Sequence, residues 1–164
     1  MASLKVLGAL SFVEINPTID TNAYQAGDVV GGVMTIPVGQ KGGMLRHVKL
    51  VDNDAEAAEL SLYLFRDTPT AILDDAAFAA AMTEADTRLL IDQPLVFATT
   101  DYLTLNAEKY AIKGGHGGVG NTGLGIELRP VDTNIYAYAV CTATPTYAAL
   151  KLFWQFTLWR NDAG

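Results

Sequence analysis

The chain has 164 residues, half of them hydrophobic and 18% charged, enough apolar material for one packed core and too much for a disordered chain. Its net charge of −7, with eleven Lys and Arg scattered and never in a run, excludes the clustered basic surface that nucleic-acid binding needs. No uncharged apolar stretch approaches the ~18 residues of a spanning helix, and Met1-Ala-Ser-Leu-Lys5 lacks the pattern of a secretory signal, so no membrane partner and synthesis in a cytoplasm are expected.

In chain order, strand signals dominate. Lys5–Ile15 mixes Val, Leu, Phe and Ile and stops at Asn16-Pro17. Asp28–Val38 and Met44–Val51 flank the turn cluster Gly39–Gly43, which predicts a hairpin with a five-residue loop. Glu59–Phe65 alternates, with Leu60, Leu62 and Leu64 on one side and Ser61, Tyr63 and Phe65 on the other, which predicts a strand that is central or covered on both faces. Asp74–Thr83 is Ala-rich behind two residues able to cap a first turn, and predicts one short surface helix near 74–83. Arg88–Phe97, Tyr102–Ile112, Leu124–Leu128, Asn134–Cys141 and Ala149–Trp159 complete the strands. The last places Leu152, Trp154, Phe156 and Leu158 on one face, with Phe153, Gln155, Thr157 and Trp159 on the other, as suits the middle of a sandwich. Short strands with turns every ten to fifteen residues predict a single all-β domain over 1–164, an antiparallel sandwich, jelly roll or barrel rather than a βαβ sheet.

Seven glycines fall between Gly114 and Gly125, and Gly118-Val-Gly120-Asn-Thr-Gly123 has dinucleotide-binding spacing. That fingerprint must open a helix, whose N-terminal amides hold the pyrophosphate. Here Leu124–Leu128 alternates like a strand and runs into Pro130, and no Gly-Lys-Ser or Gly-Lys-Thr is present, so no nucleotide cofactor is expected. What such a segment offers is reach, since glycine permits φ > 0 and close backbone approach. Gly114, Gly115, His116, Gly117, Gly118, Val119, Gly120 and Asn121 therefore form a candidate contact loop, with a plain solvent loop as the alternative.

The remaining chemistry is sparse. Asp52-Asn-Asp54-Ala-Glu56 offers alternate oxygens but lacks the glycine and glutamate of a calcium loop, so a solvated turn is expected and no metal. His47 and His116 lack zinc-ligand spacing. Ser3, Ser11 and Ser61 lie outside any Gly-x-Ser-x-Gly elbow, so no catalytic residue is assigned and no enzyme is expected. Cys141, the one cysteine, sits in an apolar run as a buried hydrophobe. Tyr136, Tyr138, Tyr147 and Trp159 suit either a sugar-stacking platform on an exposed sheet or a core or subunit interface.

Three stretches carry a resemblance: Thr21-Asn-Ala-Tyr24-Gln-Ala-Gly27-Asp28-Val29-Val30; Leu62-Tyr63-Leu64-Phe65 running into Asp67-Thr68-Pro69-Thr70 and then Asp74-Asp75-Ala-Ala-Phe78; and Phe153 to Leu158. They resemble the small β-sandwich head decoration or cement proteins of tailed bacteriophages. The resemblance implies a jelly-roll sandwich on the capsid surface of a virion, a homotrimer that binds the major capsid protein and has neither cofactor nor catalysis. A phage tail or baseplate component, or a carbohydrate-binding module, is the alternative. The glycine segment is not part of that pattern. The apolar start Met1–Leu10 and the end Lys151–Gly164 suit segments that lie along a neighbour, with edge strands pairing across subunits.

Overall fold

The computed structural model describes residues 9–114 and 123–161. Ten strands form two sheets, and every pairing is antiparallel. The first sheet contains β1 (Ala9–Ile15), β10 (Leu152–Arg160), β3 (Gly43–Asp52), β7 (Glu108–Lys113) and β6 (Leu103–Leu105) in that order, with β8 (Ile126–Leu128) beside the start of β3. The second orders β2 (Met34–Pro37), β9 (Asn134–Cys141), β4 (Leu60–Phe65) and β5 (Leu95–Phe97). The pairs are nested: β1 with β10, β2 with β9, β3 with β7 and β8, β4 with β5. A chain folded once on itself and rolled into two sheets has this order, which is that of the jelly roll.

The core between the sheets follows from alternation. Leu152, Trp154, Phe156 and Leu158 of β10, Leu45, Val48 and Leu50 of β3, and Leu60, Leu62 and Leu64 of β4 all turn inward and are buried. Trp154 meets Phe97 edge-on, ring centroids 5.4 Å apart. β4 and β10 are interior strands, as the sequence predicted.

A second apolar cluster closes the outer face of the second sheet. Phe65, Tyr138 and Val140 project away from the main core and pack under Val29, Ile72 and Phe78. Val29 belongs to the connection between β1 and β2, and Ile72 and Phe78 to that between β4 and β5, which carries α1 (Phe78–Ala81) and α2 (Glu84–Thr87). Tyr138 Oη ties this cover down, accepting from Ile72 N at 2.9 Å and donating to Thr70 O at 2.8 Å.

Three expectations change. The predicted hairpin of Asp28–Val38 with Met44–Val51 does not form: β2 pairs with β9, β3 pairs with β10, and the two strands lie in different sheets. Gly42 (φ +62) and Gly43 sit where a Cβ would meet Leu128 O at 2.0 Å and Trp159 O at 2.2 Å, so the glycines serve a sheet-to-sheet corner. The helix expected near 74–83 begins at Phe78, and a separate turn follows as α2. Asp75 has φ +58, which stops helix running back, and Asp74 is engaged elsewhere, accepting from Tyr24 Oη at 2.8 Å and Gly31 N at 2.6 Å. Finally, the expected strand over Arg88–Phe97 shrinks to β5, because Arg88 closes α2, Leu89 and Leu90 bond back to Asp86 and Thr87, and Leu90 makes only an isolated bridge to Phe65.

Candidate contact surface

The outer faces of the two sheets differ. The second is closed by the chain's own insertion, whereas that of the first is bare among the described residues. The pairing register lays its outward residues in rows. Leu10, Trp159 and Met44 form one row, Phe12, Thr157 and His47 the next, and Glu14, Gln155 and Lys49 a third. Phe153, Val51, Tyr110 and Leu103 form a fourth.

This face is apolar where a solvated sheet face would alternate to polar. Leu10 is 53% exposed, Phe12 66%, Trp159 45% and Met44 37%, and farther across the sheet Leu103, Leu105 and Ile112 are 59%, 68% and 44% exposed. At about 200 Å² per large side chain, the first four leave roughly 400 Å² of apolar surface open and the last three roughly 340 Å², each within the ~300–600 Å² of a monomer's largest patch. Leu10, Phe12, Arg46, His47, Thr157 and Trp159 also frame a shallow concavity of about 440 Å³.

A bulge shapes the margin. Register shifts at Thr157/Leu158, leaving Arg46 as an extra residue on β3. Its carbonyl, freed from the ladder, accepts from Leu124 N at 2.8 Å. Gly114 (φ +78) and Gly123 (φ +75) close on the same carbonyl, and a Cβ on either would stand 2.3 and 2.9 Å from it. Both ends of the glycine segment thus meet at the edge of the apolar face. Of the candidate contact loop only Gly114 is described; Gly115, His116, Gly117, Gly118, Val119, Gly120 and Asn121 lie outside the described residues. Strand β8 follows the segment, where a dinucleotide fingerprint requires a helix.

Other sequence candidates are not brought together. Tyr138 and Tyr147 are fully buried, Tyr136 lies on the second sheet, and Trp159 projects from the first, so the four aromatics share no platform. Cys141 is buried with its thiol donating to Gln25 O at 3.1 Å, and burial pushes its pKa up, away from a reactive thiolate. Asp52 is buried and accepts from Asp54 N at 3.0 Å and Ala57 N at 2.7 Å, as the organiser of a turn. No group of three or more His, Cys, Asp or Glu among the described residues is placed to hold a metal ion, and no described helix is long and apolar enough to cross a membrane.

Sequence reasoning missed Leu10, Phe12 and Met44. Their signal was the period-two pattern of Leu10, Phe12 and Glu14, which marks one face of a strand but not whether that face turns in or out. Comparison with family models, curated proteins and solved structures finds no match.

Proposed function

We propose that this chain is a structural virion protein that decorates and stabilises a bacteriophage capsid, bridging neighbouring capsid subunits. The observation that carries the reading is the allocation of exposed apolar surface. One sheet face is largely covered by the insertion between β4 and β5, while the other leaves Leu10, Phe12, Met44 and Trp159 open side by side. What the described chain offers a partner is area rather than a pocket of convergent polar groups. The resemblance of Thr21–Val30, Leu62–Phe78 and Phe153–Leu158 to phage head decoration proteins directs this general reading to the virion.

Such a protein makes two kinds of contact, with the capsid and with itself. The loops suit the first. Loops and helices of the described chain hold five Lys and Arg against thirteen Asp and Glu, an acidic rim able to oppose a basic surface. Many copies on a symmetric shell gain avidity, so each contact can be weak.

The test is addition of purified protein to heads assembled without it. Saturable co-sedimentation and a higher temperature of head disruption are expected. Protein that stays in the supernatant at micromolar concentration, with heads no more stable than before, overturns the reading.

A further inference from the structure

We propose that the outer face of the first sheet is covered by the same face of a second copy, the two related by a two-fold axis running along β10. The inference rests on the reading of this face as a contact surface, and assigns it to self-association rather than to the capsid.

Three observations select a second copy as the occupant. The first is area. Leu10, Phe12, Met44 and Trp159, on the three strands that the rotation overlays, leave roughly 400 Å² of apolar surface open, close to the apolar share of the ~800 Å² per partner of a standard interface.

The second is the placement of charge. The strands of the first sheet carry five Lys and Arg against four Asp and Glu, and one of those acids, Asp52, is buried. The excess negative charge lies in loops and helices, so a chain of net charge −7 can meet its like across a face that is itself close to neutral. A strongly basic partner gains little from such a face.

The third is register. β10 lies between β1 and β3, so a two-fold axis along it carries β1 of one copy over β3 of the other. Within the third row, Glu14 and Lys49 flank Gln155 at equal distances, about 10 Å apart at the usual strand spacing. The rotation sets Glu14 opposite Lys49 of the second copy, and Lys49 opposite its Glu14. In the first row the same rotation stacks Trp159 on Trp159 at the axis and sets Leu10 against Met44. Gln155 Nε2 lies 3.4 Å from Glu14 Oε2, and Lys49 Nζ stands 5.6 Å from the centre of the Tyr110 ring. Neither charge belongs to an ion pair among the described residues. Sheets stacked about 10 Å apart with strands within ~30° of parallel keep these rows in reach of one another. Pairing gives an assembly with two outward-facing copies, a bridge by construction.

The experiment is a charge-reversal cycle read by sedimentation and tryptophan emission. The full-length protein is expected to form dimers, or hexamers made of three such pairs. Trp154 is already buried, so a blue shift on association reports Trp159. Glu14→Lys and Lys49→Glu each turn two attractive contacts repulsive and raise the dissociation constant. The rise is roughly tenfold for Lys49→Glu, which adds to the net negative charge, and less for Glu14→Lys, which relieves it. Combined, they restore it to within about threefold of the parent. Circular dichroism of each variant guards against misfolding, and Phe12→Ser weakens pairing without touching a charge.

A monomer, a trimer, or an association that both single reversals leave unchanged overturns the proposal. Heads that still bind a chain unable to pair leave the capsid reading standing without this one. Pairing that obeys the cycle in a protein with no affinity for heads does the reverse.

Discussion

Asp86 fastens Thr70, sixteen residues before it, to Thr83 at the start of α2. Its carboxylate accepts from Thr70 N at 2.7 Å and Thr70 Oγ1 at 2.8 Å, and from Thr83 N at 2.9 Å and Thr83 Oγ1 at 2.6 Å. Burial alone would raise its pKa, but these donors outweigh it and hold the carboxyl well below the usual range. A carboxylate whose folded pKa is lowered gives stability that is fully present above its unfolded value, near 3.8. That stability is lost as pH falls through the folded value. Asp52 works in the opposite sense: burial raises its pKa, so its protonation on acidification favours the fold. Asp86→Asn isolates the first effect because Asp52 is common to both proteins. At pH 7 the variant is expected to be less stable by about 2 kcal/mol, and the gap narrows steadily as pH falls below about 4. Urea midpoints across pH check this; a gap independent of pH would show that the carboxylate's charge is not what the four donors stabilise.

The insertion between β4 and β5 behaves as an element in its own right. It is joined to the sandwich by backbone bonds from Phe78 N to Gly27 O and Val29 N to Ala76 O, both 2.9 Å, and by the rings around Phe78. Phe78 stands 4.5 Å from Tyr63 and 5.8 Å from Tyr138, centroid to centroid. Phe78→Ala removes the centre of this small cluster and is expected to destabilise by about 3 kcal/mol. Most of that loss is local. Hydrogen exchange should quicken at Val29, Phe78 and Met82 while amides of β10 keep their protection. Uniform loss of protection would make the cover part of the main cooperative unit. The strands of the main core were legible because alternation fixes their faces, as in Leu60, Leu62 and Leu64. The corner at Gly39–Gly43 was not, because the same glycines serve a hairpin or a switch between sheets, and only the distant partners β9 and β10 decide. The helix limits were hidden for a similar reason: Asp74 reads as a cap, yet Tyr24 and Gly31 claim it from fifty and forty-three residues away. Of the apolar face, the sequence held the two-sidedness of β1 and β10 but not the direction outward, which the rolling of the whole chain determines.

At the scale of the molecule, the acidic excess and the largest group of exposed apolar residues lie apart. The acidic excess occupies the loops, and the first sheet is nearly neutral. Two copies meeting face to face therefore feel two electrostatic effects of opposite sign. The cross-face Glu14–Lys49 contacts attract, but exposed pairs contribute only ~0.2–1 kcal/mol each and weaken with salt. The net charge of −7 on each copy repels, and this acts over distances beyond any single contact. Raising ionic strength shortens the screening length from roughly 14 Å at about 50 mM to roughly 4 Å at about 500 mM, which removes the long-range repulsion while leaving apolar burial intact. Repulsion between whole molecules exceeds two exposed pairs, so self-association is expected to strengthen several-fold over this range. Attachment of the acidic loops to a basic capsid surface should weaken over the same range. Sedimentation equilibrium and head binding, measured side by side in the same buffers, separate the two contacts. Association that falls with salt in step with head binding would mean that one charged surface serves both.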